Sequence, residues 1–263
     1  MIKRLSILNS IFLFSSCAYS FRSLIMSMPT TVEKLPLQTT SSKEIILIRH
    51  GTTEMNERLS AQGWGSKNFK DACLWDTRLS SKGIEDAKML NKRILSKDSN
   101  IGDFSRIECL VCSPLTRALQ TAEIGLAGDI FKSDILKIVH PLARERLYLS
   151  SDVGRSKTEL QKDYSNWNYD FLDDTNWWYL HPKDEKYIEW RPPGIYPCHG
   201  EIESYFKARM KKLREFLIAR PEKVIAVVCH WGVIRSLTGR SLDNCEVLSW
   251  SSDSLLEEPY IDK

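Results

Sequence analysis

The chain has 263 residues, of which 42% are hydrophobic and 27% charged, enough to bury the core of one large α/β domain or two small ones. Its 37 Lys and Arg against 34 Asp and Glu leave a net charge of +3 with no long basic run, which argues against a nucleic-acid partner but leaves room for a locally basic pocket. Seven cysteines, odd in number and widely spaced, exclude a disulfide framework.

At the N-terminus, Lys3 and Arg4 precede an apolar stretch over 5–14, and Ala18-Tyr19-Ser20 places small residues before a possible cut ahead of Phe21. That is the layout of a cleavable signal peptide. The apolar run is too short and too interrupted to span a bilayer, so no stable membrane span is expected after processing. Residues 21–32 contain Arg22, several Ser and Thr and no acidic residue, a transit-peptide-like composition. The expected destination is the secretory route or a plastid, or the cytoplasm if translation starts at Met26 or Met28. A targeting segment over 1–42 is thereby set apart from a domain over 43–263.

Residues 45–48 (Ile-Ile-Leu-Ile) predict a first strand. A stretch rich in Gly, Trp and charge follows over 57–78 and reads as a long loop. Residues 80–97 carry a helical apolar face with Ser80 as N-cap. Residues 107–112 predict a second strand, on which Cys109 and Cys112 point to opposite faces and so cannot share a metal. A helix over 114–124 is expected to begin at Pro114, capped by Ser113. A short third strand covers 136–139. The aromatic stretch 164–199, with Pro192-Pro193, reads as a lid insertion; its Trp167, Trp177, Trp178 and Trp190 either cover a ligand or pack in an accessory subdomain. An amphipathic helix spans 201–219, a fourth strand 224–229, and a last helix starts at Gly232. Strands apolar on both faces and separated by helices predict an α/β fold, a three-layer α/β/α arrangement around a mostly parallel central sheet.

In open sheets of this kind ligands bind beyond the carboxyl ends of the strands. The first strand is followed by Arg49-His50-Gly51, the second by Ser113-Pro114-Leu115-Thr116-Arg117, and the fourth by His230-Trp231-Gly232. Two histidines and two arginines thus lie at or just beyond the same edge of one sheet. Neither G-x-G-x-x-G nor G-x-x-x-x-G-K-[ST] occurs, which disfavours a dinucleotide or P-loop enzyme.

These blocks resemble those of the histidine phosphatase superfamily, which includes the cofactor-dependent phosphoglycerate mutases. The resemblance covers Arg49-His50-Gly51 with Asn56, Leu79-Ser80-Ser81-Lys82-Gly83, the run Ser113 to Ala122, and Val228 to Gly232, in the family's order. It implies a phosphoglycerate mutase-like fold and a small phosphorylated substrate, with no metal and no cofactor. It further implies that His50 attacks phosphorus, that Arg49, Arg117 and Asn56 bind the phosphoryl group, and that His230 donates to it. The family's general acid falls at Glu145, with Asp152 in reserve; Arg144 and Arg146 beside Glu145 are expected to depress its pKa. Two departures stand out: Asp86 where Gln is usual, expected to alter only surface contacts, and Trp231 where a small residue is usual. The preferred reading is a metal-independent phosphomonoesterase working through a phosphohistidine. A phosphoglycerate mutase-type transfer is the alternative, suggested by Glu145-Arg146-x-Tyr148, and a non-catalytic phospho-ligand binder is the third.

Overall fold

Three runs of the chain are buried or nearly so at every position, and they become the centre of the sheet. These are β1 (Glu44–Arg49), β2 (Cys109–Cys112) and β4 (Val224–Cys229). With β3 (Leu136–Val139) and β5 (Val247–Ser251) they form one sheet in the order β3-β2-β4-β1-β5. β1 to β4 are mutually parallel, and β5 runs antiparallel along β1. This computed structural model describes residues 42–63, 69–131, 135–174, 177, 178 and 200–261. Residues 1–41 of the targeting segment expected over 1–42 lie outside the described residues. Among them, no helix is long and apolar enough to cross a membrane.

Period-2 alternation divides the strand side chains between two cores. Ile46, Ile48, Leu110, Cys112, Val224, Ala226 and Val228 face one side, and Ile45, Leu47, Cys109, Val111, Ile225, Val227 and Cys229 the other. The first core is covered by α2 (Ser81–Leu95), α3 (Thr116–Gly125) and α4 (Lys157–Asp163), through Ala87, Leu90, Ala118, Leu119 and Leu160. The second is covered by α5 (Glu203–Ala219) and α6 (Trp231–Thr238), through Phe206, Met210, Leu213, Val233 and Leu237. The fold is therefore the three-layer α/β/α arrangement, and Cys109 and Cys112 do lie on opposite faces.

Three elements differ from the sequence expectation. Part of the 57–78 loop is helical: α1 (Glu54–Gln62) starts at a capping box in which Thr53 and Asn56 satisfy each other's backbone. The second block's helix begins at Thr116 rather than Pro114: Leu115 is its N-cap, and Ser113 Oγ takes the Leu115 N–H (3.2 Å) and bonds His230 (2.7 Å). β5 was not anticipated, since Val-Leu-Ser-Trp-Ser is only half apolar; its place is given by pairing with β1.

Candidate active site

Parallel pairing fixes the site. Arg49 is opposite Cys229 and Cys112 opposite Val228, so the residues leaving these strands emerge side by side. The His50 N–H then continues the ladder to the Cys229 carbonyl (3.0 Å), and the Ser113 N–H to the Val228 carbonyl (3.0 Å). The motif residues around them lock this edge. Thr121 Oγ1 accepts from the Gly51 N–H (2.9 Å), and Gln120 Oε1 from the Leu79 N–H (2.8 Å). Gly83 sits where a Cβ would come within 1.9 Å of the Thr52 carbonyl oxygen, so only glycine lets α2 dock against the turn after His50. Asp86 accepts from Thr52 Oγ1 (3.1 Å) as well as from Lys82 (2.6 Å). It therefore tethers the same turn and does more than alter a surface contact.

The rings of His50 and His230 lie 5.0 Å apart, centroid to centroid. His50 Nδ1 donates to the Gly51 carbonyl (2.8 Å), which leaves the lone pair on Nε2. Burial, then the positive charges of Arg117 and Arg49, hold its pKa well below the ordinary imidazole value. His230 is depressed in the same way, by burial first and Arg117 next. Both rings are thus neutral near pH 7. His230 Nε2 bonds Ser113 Oγ (2.7 Å), and its Nδ1 is buried with no partner. This ring is wholly buried behind His50 and does not line the cavity. Its Nδ1 is thus an unsatisfied polar atom in the interior.

A cavity of about 930 Å³ opens in front of His50 and is lined by Arg49, Asn56, Arg117 and Glu145, among others. Arg49 Nη1 is held by the Leu242 carbonyl (2.7 Å), and its Nε is buried without a partner. Arg117 is anchored by the Ser151 carbonyl and by Asp152 (2.9 Å). Asp152 Oδ2 also accepts from the Tyr148 and Leu149 N–H groups (3.0 and 2.9 Å). Oδ1 of Asp152 is therefore committed to Arg117 and Oδ2 to the backbone at 148–149. Asn56 spends its carbonyl oxygen on Thr53, so Nδ2 is the end left to donate.

Glu145 accepts from the Arg146 N–H (2.8 Å) and, at the start of α6, from the Gly232 N–H (3.2 Å). A Cβ on Gly232 would stand 2.5 Å from Glu145 Oε1, so the glycine admits the carboxylate. Its pKa is raised, by burial first and by Asp152 next, against these two hydrogen bonds. The expected depression by flanking arginines does not occur, because neither guanidinium faces the carboxylate. Arg144 is turned into the interior against Glu201 (2.9 Å), and Arg146 lies over Tyr148 and Phe206.

Behind Glu145, Glu201 sits between Arg144 and Arg209, all three nearly fully buried. Both arginines also donate to the Glu145 carbonyl (3.0 and 3.3 Å), so this cluster fixes the backbone that carries the carboxylate. Burial alone would raise the Glu201 pKa, but the two guanidiniums outweigh it and hold it far below the usual range. A depressed carboxylate contributes stability above its unfolded pKa and loses it as pH falls through the folded one. Glu201→Gln leaves two buried cations without a counter-charge and is expected to lower unfolding stability by about 3–5 kcal/mol. Denaturant titration at pH 7 checks this; an unchanged midpoint would show that the cluster is not under charge balance.

At the N-terminus of α3, Asp76 takes the Thr116 N–H (2.8 Å) and hydroxyl, and is itself held by Arg155 (3.0 Å). The described aromatic residues of the 164–199 stretch serve packing. Trp167, Trp177 and Trp178 pack against the first core and do not line the cavity. Trp167 Nε1 donates to Glu123 and Trp177 Nε1 to the Arg155 carbonyl (both 2.7 Å). Trp190 and residues 179–199 lie outside the described residues. Trp231 does line the cavity, with Nε1 on Ser241 (2.7 Å).

Sequence reasoning missed Glu201 and Arg209, whose partners are distant in the chain, and Asn244, whose Nδ2 donates to the His50 carbonyl (2.8 Å). No local pattern marks any of them. Among the described residues, no group of three or more His, Cys, Asp or Glu is placed to hold a metal ion.

Comparison with known proteins gives a match to the sequence profile of the histidine phosphatase superfamily (branch 1) over residues 45–252. The chain is 29% identical over 181 residues to the phosphomutase-like protein 3 of Candida albicans, covering 66% of this chain and 50% of that protein. It is 31% identical over 129 residues to a probable phosphatase of Schizosaccharomyces pombe, covering 49% and 53%. It is 35% identical over 86 residues to a 2,3-bisphosphoglycerate-dependent phosphoglycerate mutase of Staphylococcus epidermidis, covering 33% and 31%. The chain spans about half the length of the first two relatives.

Proposed function

The chain belongs to the histidine phosphatase superfamily, and from that premise we propose that it is a metal-independent phosphomonoesterase acting on a small phosphorylated molecule. The observation that carries the reading is the pairing of a neutral His50, its Nε2 lone pair free, with Glu145, a carboxyl whose pKa is raised, in one cavity. His50 Nε2 attacks phosphorus in line, the P–N bond forms and the ester P–O bond breaks. Glu145 gives its proton to the leaving oxygen. As a carboxylate it then takes a proton from the water that attacks the phosphohistidine, which releases phosphate and restores both residues.

Arg49 and Arg117 present guanidinium donors to the phosphoryl oxygens, and Asn56 adds Nδ2. With Nε2 accepting from Ser113, His230 carries its proton on the unpartnered Nδ1, a donor for an oxygen that gains charge in the transition state. These groups concentrate positive field around phosphorus, the role a divalent ion plays in other phosphoryl-transfer sites.

The Glu145-Arg146-x-Tyr148 stretch and the similarity to a phosphoglycerate mutase support a second reading, transfer rather than hydrolysis. Purified protein incubated with 3-phosphoglycerate separates the two. Free phosphate is the expected product, and 2-phosphoglycerate would favour transfer. Failure to release phosphate from any ester, p-nitrophenyl phosphate included, would leave the phosphatase reading without support.

A further inference from the structure

Arg117 is held by one short turn of the chain. Its Nη1 donates to the Ser151 carbonyl and its Nη2 to Asp152 Oδ1 (2.9 Å), and both acceptors belong to the turn Ser150–Asp152. A planar guanidinium fork meets the oxygens of an anion well only over a narrow range of positions. The place of the turn therefore sets the direction in which Arg117 offers its remaining N–H groups.

Asp152 Oδ2 closes the turn on its own backbone, through the Tyr148 and Leu149 N–H groups. A tie to the rest of the domain comes from Asp71, 79 residues earlier in the chain. Asp71 Oδ2 accepts from the Ser150 N–H (2.8 Å), and Asp71 Oδ1 from the Ser150 hydroxyl (2.5 Å). Ser150 is fully buried, so loss of that carboxylate would strand both of its polar groups.

The segment that carries Asp71 is braced on either side of it. Phe69 is buried with Met55 and Leu149. Asp76 takes the Thr116 N–H (2.8 Å), one residue before Arg117. Between them the Cys73 N–H turns back onto Asp71 Oδ1 (2.7 Å). Cys73 and Asp76 both take positive φ (53° and 41°), a region that side chains other than glycine disfavour. The chain thus accepts local strain in a segment whose two carboxylates hold the turn and the helix start on either side of Arg117.

We infer that Asp71 is a positioning residue of the phosphate site. It does not line the cavity. It fixes the Ser150–Asp152 turn, the turn fixes the guanidinium plane of Arg117, and that plane meets the phosphoryl oxygens. The inference rests on Arg117 binding the phosphoryl group, as in the proposed function.

Calorimetric titration with inorganic phosphate tests this without turnover. Asp71→Ala is expected to weaken the phosphate Kd by about tenfold or more, the scale of a misdirected charge-assisted contact. Asp71→Asn, whose carbonyl oxygen can still accept from the Ser150 N–H, should fall between Asp71→Ala and the wild type. In an Arg117→Gln background the Asp71→Ala change should cost no further affinity, because the group it directs is gone. A role confined to stability would lower the melting temperature or the bound stoichiometry and leave Kd as it is. Should Asp71→Ala fail to fold, Asp71→Asn carries the same cycle.

An unchanged Kd in the folded Asp71 variants would overturn the inference. So would losses that multiply independently in the double variant. Failure of the Arg117 assignment looks different: Arg117→Gln would bind phosphate as tightly as the wild type, and the inference would fall with it. Absence of ester hydrolysis with the phosphate pattern intact would remove the phosphatase reading and leave the role of Asp71 standing.

Discussion

His50→Ala is expected to lower phosphatase turnover by about 10⁴-fold or more, because it removes the atom that forms the first bond to phosphorus. The surrounding donors remain in this variant: Arg49 and Arg117 keep their own anchors at Leu242, Ser151 and Asp152. Ligand binding should therefore survive while chemistry is lost, and the deficit should appear in kcat rather than in KM. A second measurement reads the intermediate itself. Wild-type protein mixed with a labelled phosphomonoester and quenched in alkali should hold the label in the peptide that contains His50. The label should be lost in acid, as a phosphoramidate is. Unchanged hydrolysis by His50→Ala would remove the nucleophile from the mechanism.

Glu145→Gln should separate the two halves of the reaction. For an alkyl phosphate the leaving oxygen needs a proton, and the variant is expected to fall by about 10²–10⁴-fold in kcat. For p-nitrophenyl phosphate the leaving group departs without one, so phosphohistidine formation should persist. Dephosphorylation, which needs Glu145 as base, should be slow, and stopped-flow mixing should show a burst of nitrophenol. The pH dependence follows from the two shifts. His50 is held well below its ordinary value, so activity rises with pH as the ring loses its proton far on the acid side. Glu145 is held above its ordinary value, so activity on alkyl esters falls as pH rises through its raised pKa. The basic limb should disappear in Glu145→Gln. A variant that keeps both the limb and alkyl ester turnover would show that another group is the acid.

The Glu145 assignment depends on tertiary packing. Its sequence neighbours Arg144 and Arg146 argue for a depressed pKa and against an acid. In the folded chain Arg144 is drawn into the buried cluster with Glu201 and Arg209, and Arg146 is drawn onto aromatic rings. Burial and the like charge of Asp152 outweigh the two backbone donors and the positive field of Arg117, so burial decides the sign. The same contrast applies to Asp152. From sequence it competes with Glu145 for the acid role, whereas its oxygens are found on Arg117 and two backbone amides.

Sequence by itself determined the sheet and its reactive edge. Runs such as Ile-Ile-Leu-Ile and Val-Ile-Ala-Val-Val-Cys can be buried on both faces only in a covered parallel sheet, and parallel strands bring their carboxyl ends together. His50, Arg117 and His230 could therefore be placed near one another from chain position alone. What required the tertiary structure was everything set by long-range contacts. That includes the antiparallel β5, the hydrogen bond of Asp76 at the start of α3, and the burial of Trp167 and Trp177 in the core. It includes above all the upward shift of the Glu145 pKa and the arginines set over aromatic rings in the cavity wall. Periodicity reports which face of an element is apolar. The partner of each charge depends on residues tens of positions away, and that is decided only when the chain has packed.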